Sequence, residues 1–431
     1  MLKIKVPPEW GIEPVPEEHR LLGFLDYFAL WSSLGVGLLV LLAGTLLVPS
    51  LGLGQALLAI VIGTLIGNLL LALAGVIGSD NAIPTMVMLR PVLGIRGSYL
   101  PTFLNLIQLI GWGAFEVIIM AEAANTISQT LFGFSNYLLW AFLFAAWCTI
   151  LAIGGPLVVV RQWLEKFAVW LVYGTSIWLT YYLFTNYDIG GLLRAPGAGE
   201  LPFWLAVDLV VAMPISWMPL VADYNRFARD AGKAFWGTYL GYFVANVWFY
   251  GLGALFVLAL ATGDLIPAIM TVTGGWVALI LILVDETDNA FADIYSAAVS
   301  GQNVLTKARQ WWLAVAVGVI CFVLAAKVPI AQYEGFLLFI GSVFSPLFGV
   351  LAADYFVLRK RHYDVEELYR PLGAYWYRQG FNARAIIAWA LGIAVYQAIA
   401  HYVPWLGASV PSFVAAFILY LLFAGLSKEG R

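Results

Sequence analysis

Apolar residues fall in long runs separated by short polar breaks, and the pattern repeats along the chain. A membrane-spanning helix needs about 20 mostly apolar residues. Twelve runs fit: 23–49, 54–78, 100–127, 137–153, 165–185, 203–221, 235–262, 274–300, 310–326, 334–358, 383–403 and 409–426. These are spans 1 to 12. The two-residue alternation of a membrane β-barrel is absent. The pattern predicts an all-α polytopic membrane protein with no soluble domain interrupting it.

Composition supports this. Hydrophobic residues are 62% and charged ones 11%, against roughly 25% charged in an ordinary soluble domain. Charge also gives an orientation, because Lys and Arg collect on the cytoplasmic side. With the N-terminus inside and the spans alternating, all Lys and Arg except Arg194 and Lys327 fall inside. Both termini are therefore expected in the cytoplasm, in the inner membrane. The N-terminal segment is polar, acidic and Pro-rich and lacks a signal peptide's apolar core and cleavage site, so span 1 is expected to be retained. No basic stripe points to nucleic acid. Cys148 and Cys321 lie in apolar spans and read as inert buried thiols.

Two spans carry signs of a break. Span 1 holds Trp31-Ser-Ser-Leu-Gly-Val-Gly37, and span 6 holds Ala212-Met-Pro-Ile-Ser-Trp-Met-Pro219. Glycine relaxes a helix and proline removes a donor. Spans 3 and 8, at the same offset, both carry buried acids: Glu116 and Glu122 in one, Asp285, Glu286, Asp288 and Asp293 in the other. Transporters built from inverted repeats use discontinuous helices at matching positions in both halves. The expected organisation is a cytoplasmic segment 1–22, a first repeat 23–185 and a second repeat 203–358. A cytoplasmic loop 359–382 and spans 11 and 12 (383–426) follow. The loop's acids, Arg370 and aromatics read as a short interfacial helix and a turn, serving as an anchor.

Charged groups at membrane depth are costly and face a bundle interior or a wet cavity. Four together in span 8 point to a site for a cation, a proton or a polar solute. At about 100° per residue, Asp285, Asp288, Asn289, Ala292 and Ser296 share one face; Glu286, Asn289 and Asp293 share the adjoining one. Oxygen-rich sites suit hard cations, and unwound backbone at Ser33 to Gly37 supplies carbonyls. In span 3, Trp112 and Glu116 are four apart and stack on one face. An indole plate beside a carboxylate suits a flat heterocycle bearing N–H groups. His19, His362 and His401 have no partners at metal-ligand spacing, and no phosphate loop or nucleophile elbow occurs. A pump driven by its own nucleotide site is not expected, and neither is a cofactor.

GWGAFE in span 3, ADYNRFAR after span 6, FIGSVFSPLFGVLAADYFVLRKRHYDVEELY and GFNARAIIAWALG together resemble the nucleobase–cation symport family of purine/cytosine permeases and hydantoin and allantoin transporters. The likeness spans essentially the whole chain. It implies twelve helices in a five-plus-five inverted repeat of the LeuT-like kind, with spans 1 and 6 discontinuous and two extra helices. It implies that Trp112 stacks the solute and that Glu116 stands where relatives place a Gln. Met213 and Pro214 occupy the places of a second aromatic and a backbone contact; this chain departs there, and Trp217 takes over the stacking. Asn289 and Asp293 lie near the family's solute-binding amides. The coupling-ion site, for sodium or a proton, is implied at Thr287 and Asp288, with Ser33, Gly35 and Val284 giving backbone oxygens. Asp288 replaces a hydroxyl there.

Glu116 favours a solute rich in donors or basic ring nitrogens, so an aminopyrimidine fits better than a hydantoin. The branch most resembled is the one assigned to hydroxymethylpyrimidine, a thiamine precursor. The expectation is a monomeric, lipid-embedded secondary transporter coupling a cation gradient to uptake of a planar aminopyrimidine, without enzymatic activity. The alternatives are cytosine or purine as cargo, an intramembrane enzyme using paired carboxylates, and a solute sensor or channel.

Overall fold

The computed structural model describes residues 10–155 and 169–425. Lys3, Lys5, Arg161, Lys166, Lys428, Arg431 and the first residues of span 5 lie outside these. All twelve spans are helical, and among the described residues the only β contacts are two isolated bridges. Among the described residues, six helices are long and apolar enough to cross a bilayer, or seven if the bent halves of span 1 are joined. Spans 6, 9 and 12 are shorter apolar helices, and the acid cluster interrupts the apolar run of span 8.

Span 1 divides into helix 1a (Phe24–Leu34) and helix 1b (Leu38–Thr45), bent by 57°. The turn falls on Gly35-Val36-Gly37, where glycine on either side lowers helix propensity. Helix 1a lies tight on span 7 (Ala231–Leu260). A Cβ on Gly237 would come 2.6 Å from Tyr27 Cβ, and one on Gly241 would come 2.5 Å from the Phe28 carbonyl oxygen. Small residues of this kind let membrane helices approach closely.

Span 6 breaks later than the sequence suggests. Its helix runs Phe203–Trp217 with Pro214 inside and resumes as Val221–Asn225. Pro219 has no N–H to give, and its ring opposes the carbonyl four residues back, so the helix ends just before it. Pro214 is tolerated: its ring packs on span 2 (Leu53–Asn81), where a Cβ on Gly67 would come 2.7 Å from Pro214 Cγ.

A break exposes backbone groups that lipid cannot satisfy. Span 3 (Tyr99–Phe132) serves span 6: Gln108 donates to the Ser216 carbonyl at 3.1 Å and Asn105 to that of Pro219 at 3.1 Å. Span 8 (Gly275–Gln302) serves span 1: Asn289 donates to the Val36 carbonyl at 2.9 Å, and Glu286 accepts from the Leu38 N–H at 2.7 Å. This exchange of roles, 1 with 8 and 6 with 3, is what a five-plus-five repeat predicts.

The loop 359–382 contains a three-residue 3-10 helix, Glu366–Leu368, with turns before and after it. It braces the segment between spans 2 and 3 through Tyr377 to the Pro91 carbonyl (2.6 Å) and Asn382 to that of Val92 (2.7 Å).

Candidate functional site: a cavity at the crossing of spans 1, 3, 6 and 8

The two breaks and the two acid-bearing helices meet at one tight cavity of ≈ 10 Å³, room for about one water. Its wall includes Trp112 and Glu116 from span 3, Met213, Ser216 and Trp217 from span 6, and Glu286, Asn289 and Asp293 from span 8. Leu34, Leu39 and Val40 complete it from span 1. The face expected to carry Glu286, Asn289 and Asp293 is thus the face that lines the cavity.

The two wall indoles are each packed by aromatic neighbours. Tyr333 and Phe336, at the start of span 10 (Tyr333–Ala352), meet Trp112 edge-on at centroid distances of 5.6 and 5.5 Å. The Tyr333 hydroxyl donates to the Leu39 carbonyl at 3.1 Å, tying span 10 to helix 1b. On the span 6 side, Trp31 stands perpendicular to Trp217 at 6.2 Å and donates its indole N–H to Asn225 at 3.2 Å. Edge-to-face packing of this kind fixes ring planes, so two indoles are fixed in the wall by their neighbours.

Polar satisfaction is where this region is unusual. Buried side-chain polar atoms nearly always find a partner. Here the Trp112 indole N–H and Asn289 Oδ1 have none, and the Glu116 and Glu286 carboxyl groups meet each other, with Glu116 Oε2 and Glu286 Oε1 reached by no other donor. Both Asp288 oxygens and Asp285 Oδ2 also lack one. The other Asp285 oxygen accepts from the Ser33 hydroxyl at 2.7 Å, and Asp288 lies beside the same hydroxyl. Unmet acceptors outnumber unmet donors on the cavity wall, so the arrangement is complementary to a guest that supplies N–H groups.

The structure brings Trp112, Glu116, Met213, Trp217, Asn289 and Asp293 together in the cavity wall. Pro214 points to span 2 instead. Ser33 offers span 8 its hydroxyl, while its carbonyl accepts from the Val36 N–H at 3.0 Å. Gly35 lies in the break, between helix 1a and helix 1b. Val284 and Thr287 line a different, apolar cleft among spans 3, 4 and 8, and the Thr287 hydroxyl donates to the Val284 carbonyl at 2.8 Å. Glu122 is half-buried and away from the cavity wall. Glu286, three and seven residues before Asn289 and Asp293 on the same helix face, lines the wall with them. Among the described residues no group of three or more His, Cys, Asp or Glu is arranged to hold a metal ion. Cys148 and Cys321 are free and buried, as expected.

Comparison with known proteins follows the same line. A family model described as "Permease for cytosine/purines, uracil, thiamine, allantoin" matches residues 14–420. A hydantoin permease of Microbacterium maritypicum is 24% identical over 408 residues, covering 89% of this chain and 82% of that protein. The cytosine permease of Escherichia coli (strain K12) is 29% identical over 358 residues, covering 80% of this chain and 78% of that protein. The structure of Mhp1, described as a nucleobase-cation-symport-1 family transporter in a closed conformation with bromovinylhydantoin bound, superposes with a TM-score of 0.87. It is 22% identical and covers 98% of each chain, a likeness that establishes the LeuT-like fold.

Proposed function

Since this chain belongs to the family of permeases for cytosine/purines, uracil, thiamine and allantoin, we propose that it is a cation-coupled symporter of a planar aminopyrimidine. Membership makes it a multi-pass membrane transporter, and the alternative of an intramembrane enzyme falls with it. The single observation that supports the aminopyrimidine is Glu116. Its carboxyl lies in the cavity wall one helical turn from the Trp112 indole, buried, with Oε2 unmet. A flat ring stacked on or against the indole would turn its exocyclic amine toward that oxygen. A charge-assisted bond of this type contributes about 1.5–3 kcal/mol. Imide-type rings place carbonyls along the same edge and would oppose acceptor to acceptor. Asn289 and Asp293 close the ring's far edge, and Met213 and Trp217 its second face.

Within the class, hydroxymethylpyrimidine is the cargo favoured by overall sequence resemblance. Cytosine is the second reading, because the cytosine permease relative covers most of the chain. The coupling ion, sodium or a proton, is assigned to Asp288 with the Ser33 hydroxyl and the Gly35 backbone, beside the break of span 1. The protein works as a monomer in the inner membrane with both termini cytoplasmic. Access alternates by rocking of helix bundles about the site.

The test is uptake of labelled hydroxymethylpyrimidine and cytosine into proteoliposomes with sodium and pH gradients imposed separately. Accumulation above equilibrium under one of the two gradients is the expected result. Equilibration without accumulation under either gradient would make the protein a channel or sensor.

A further inference from the structure

Helix 1b begins on a carboxylate that also faces the cavity. Glu286 is fully buried, and its Oε2 accepts from the N–H of Leu38, the first residue of that helix, at 2.7 Å. Helix N-termini carry unsatisfied N–H groups and partial positive charge, so a carboxylate there is stabilising. The second oxygen, Oε1, is reached by no N–H or hydroxyl donor, and the carboxyl lies in the cavity wall against that of Glu116, with Asn289 beside it. Gly37 closes the arrangement from the hinge side: a Cβ there would stand 3.0 Å from both Glu286 oxygens and from Asn289 Nδ2. One side chain thus touches the hinge with one oxygen and the cavity with the other.

We propose that Glu286 is the positioning residue that links solute occupancy to the hinge of span 1. A ring N–H takes Oε1 while Oε2 keeps hold of Leu38, so filling the site and fixing the start of helix 1b draw on the same carboxylate. A solute shifts a conformational equilibrium only through contacts that differ between the two states. This carboxylate supplies such a contact. When helix 1b swings away, Oε2 loses its donor, and the cost of an unmet acceptor in the membrane interior depends on whether a guest still donates to the other oxygen. The inference rests on the site proposed above and adds the element through which that site acts on the fold.

Two substitutions separate the two oxygens. In Glu286→Gln the amide carbonyl can still accept from Leu38, but an NH₂ faces the cavity in place of an acceptor. Solute affinity should fall by about tenfold or more, the scale of a lost charge-assisted bond. In Gly37→Ala the added methyl presses on both Glu286 oxygens and displaces the carboxylate from the start of helix 1b. Exchange at saturation should slow by about tenfold, a loss at a step after binding that a change in affinity alone does not produce.

The measurement is tracer counterflow in proteoliposomes with a panel of hydroxymethylpyrimidine, cytosine, uracil and hydantoin. If wild type carries only the last two, the functional reading fails, and the two variants are then measured with the solute it does carry. Unchanged affinity in Glu286→Gln, or unchanged saturated exchange in Gly37→Ala, overturns the link. The Gly37→Ala arm decides the matter alone if Glu286→Gln does not fold.

Discussion

Two sets of acids in this molecule, one wholly buried at the crossing of the breaks and one at the ends of spans 2 and 10 where Asp80 stays partly exposed, differ in how they are satisfied. At the ends of spans 2 and 10, every carboxylate oxygen is used. Asp354 accepts from Tyr420 at 2.9 Å with one oxygen, and from Tyr363 at 3.0 Å and Arg359 at 3.1 Å with the other. Asp80 accepts from Arg361 through both oxygens and from Tyr355 at 2.8 Å. At the crossing of spans 1, 3 and 8, Asp285 and Asp288 keep oxygens without a partner, and Glu116 and Glu286 turn oxygens toward each other that no other donor reaches. The same residue types therefore serve two ends. Where Arg and Tyr close the network, the acid holds helices together. Where acceptors are left over at membrane depth, the cost makes sense only if something arriving supplies the donors or the charge.

That contrast can be broken at several points. The largest effect is expected for Asp288→Asn: concentrative uptake should collapse to simple equilibration, because the acid beside Ser33 would no longer respond to the ion. Uptake with separately imposed gradients reads this, and an unchanged ion dependence removes Asp288 from the coupling site. Next comes Glu116→Gln. Affinity for an amino-bearing pyrimidine should fall about 10- to 100-fold relative to a carbonyl-bearing one, following the 1.5–3 kcal/mol of a charged hydrogen bond. Competition binding measures the ratio, and thermal stability should change little.

The outer set should behave in the opposite way. Asp354→Asn leaves Arg359 and two tyrosines short of a charged acceptor and should cost about 1–3 kcal/mol of stability, read as a lower unfolding temperature in detergent, with solute preference intact. The smallest effect belongs to Arg361→Ala. This side chain is largely exposed, and exposed ion pairs contribute under about 1 kcal/mol. A selectivity change in either variant would erase the distinction between the two sets.

Much of this was legible in the sequence, for identifiable reasons. Apolar runs report span positions directly, since a bilayer admits few alternatives to a helix. The acid face of span 8 followed from its spacing, and Trp112 with Glu116 from four-residue periodicity. Span 6 was less legible. Two prolines each signalled a break, and only packing against Gly67 shows that Pro214 is absorbed while Pro219 ends the helix. Val284 and Thr287 were also beyond periodicity. A one-residue step on a helix turns a side chain by about 100°, enough to move Thr287 from the inner face to the apolar cleft. Glu286 was visible as part of the cluster, but its hold on Leu38 depends on how helix 1b swings at Gly35 to Gly37, which no local pattern encodes.

The central claim is that unmet acceptors on the cavity wall select a ring that brings N–H donors. Equilibrium binding of matched pairs to the purified protein tests it most directly: hydroxymethylpyrimidine against its 4-oxo counterpart, and cytosine against uracil. In each pair one amino group is exchanged for a carbonyl. Tighter binding of the amino member by about tenfold or more is the predicted result. Equal or tighter binding of the carbonyl member in both pairs would contradict the account.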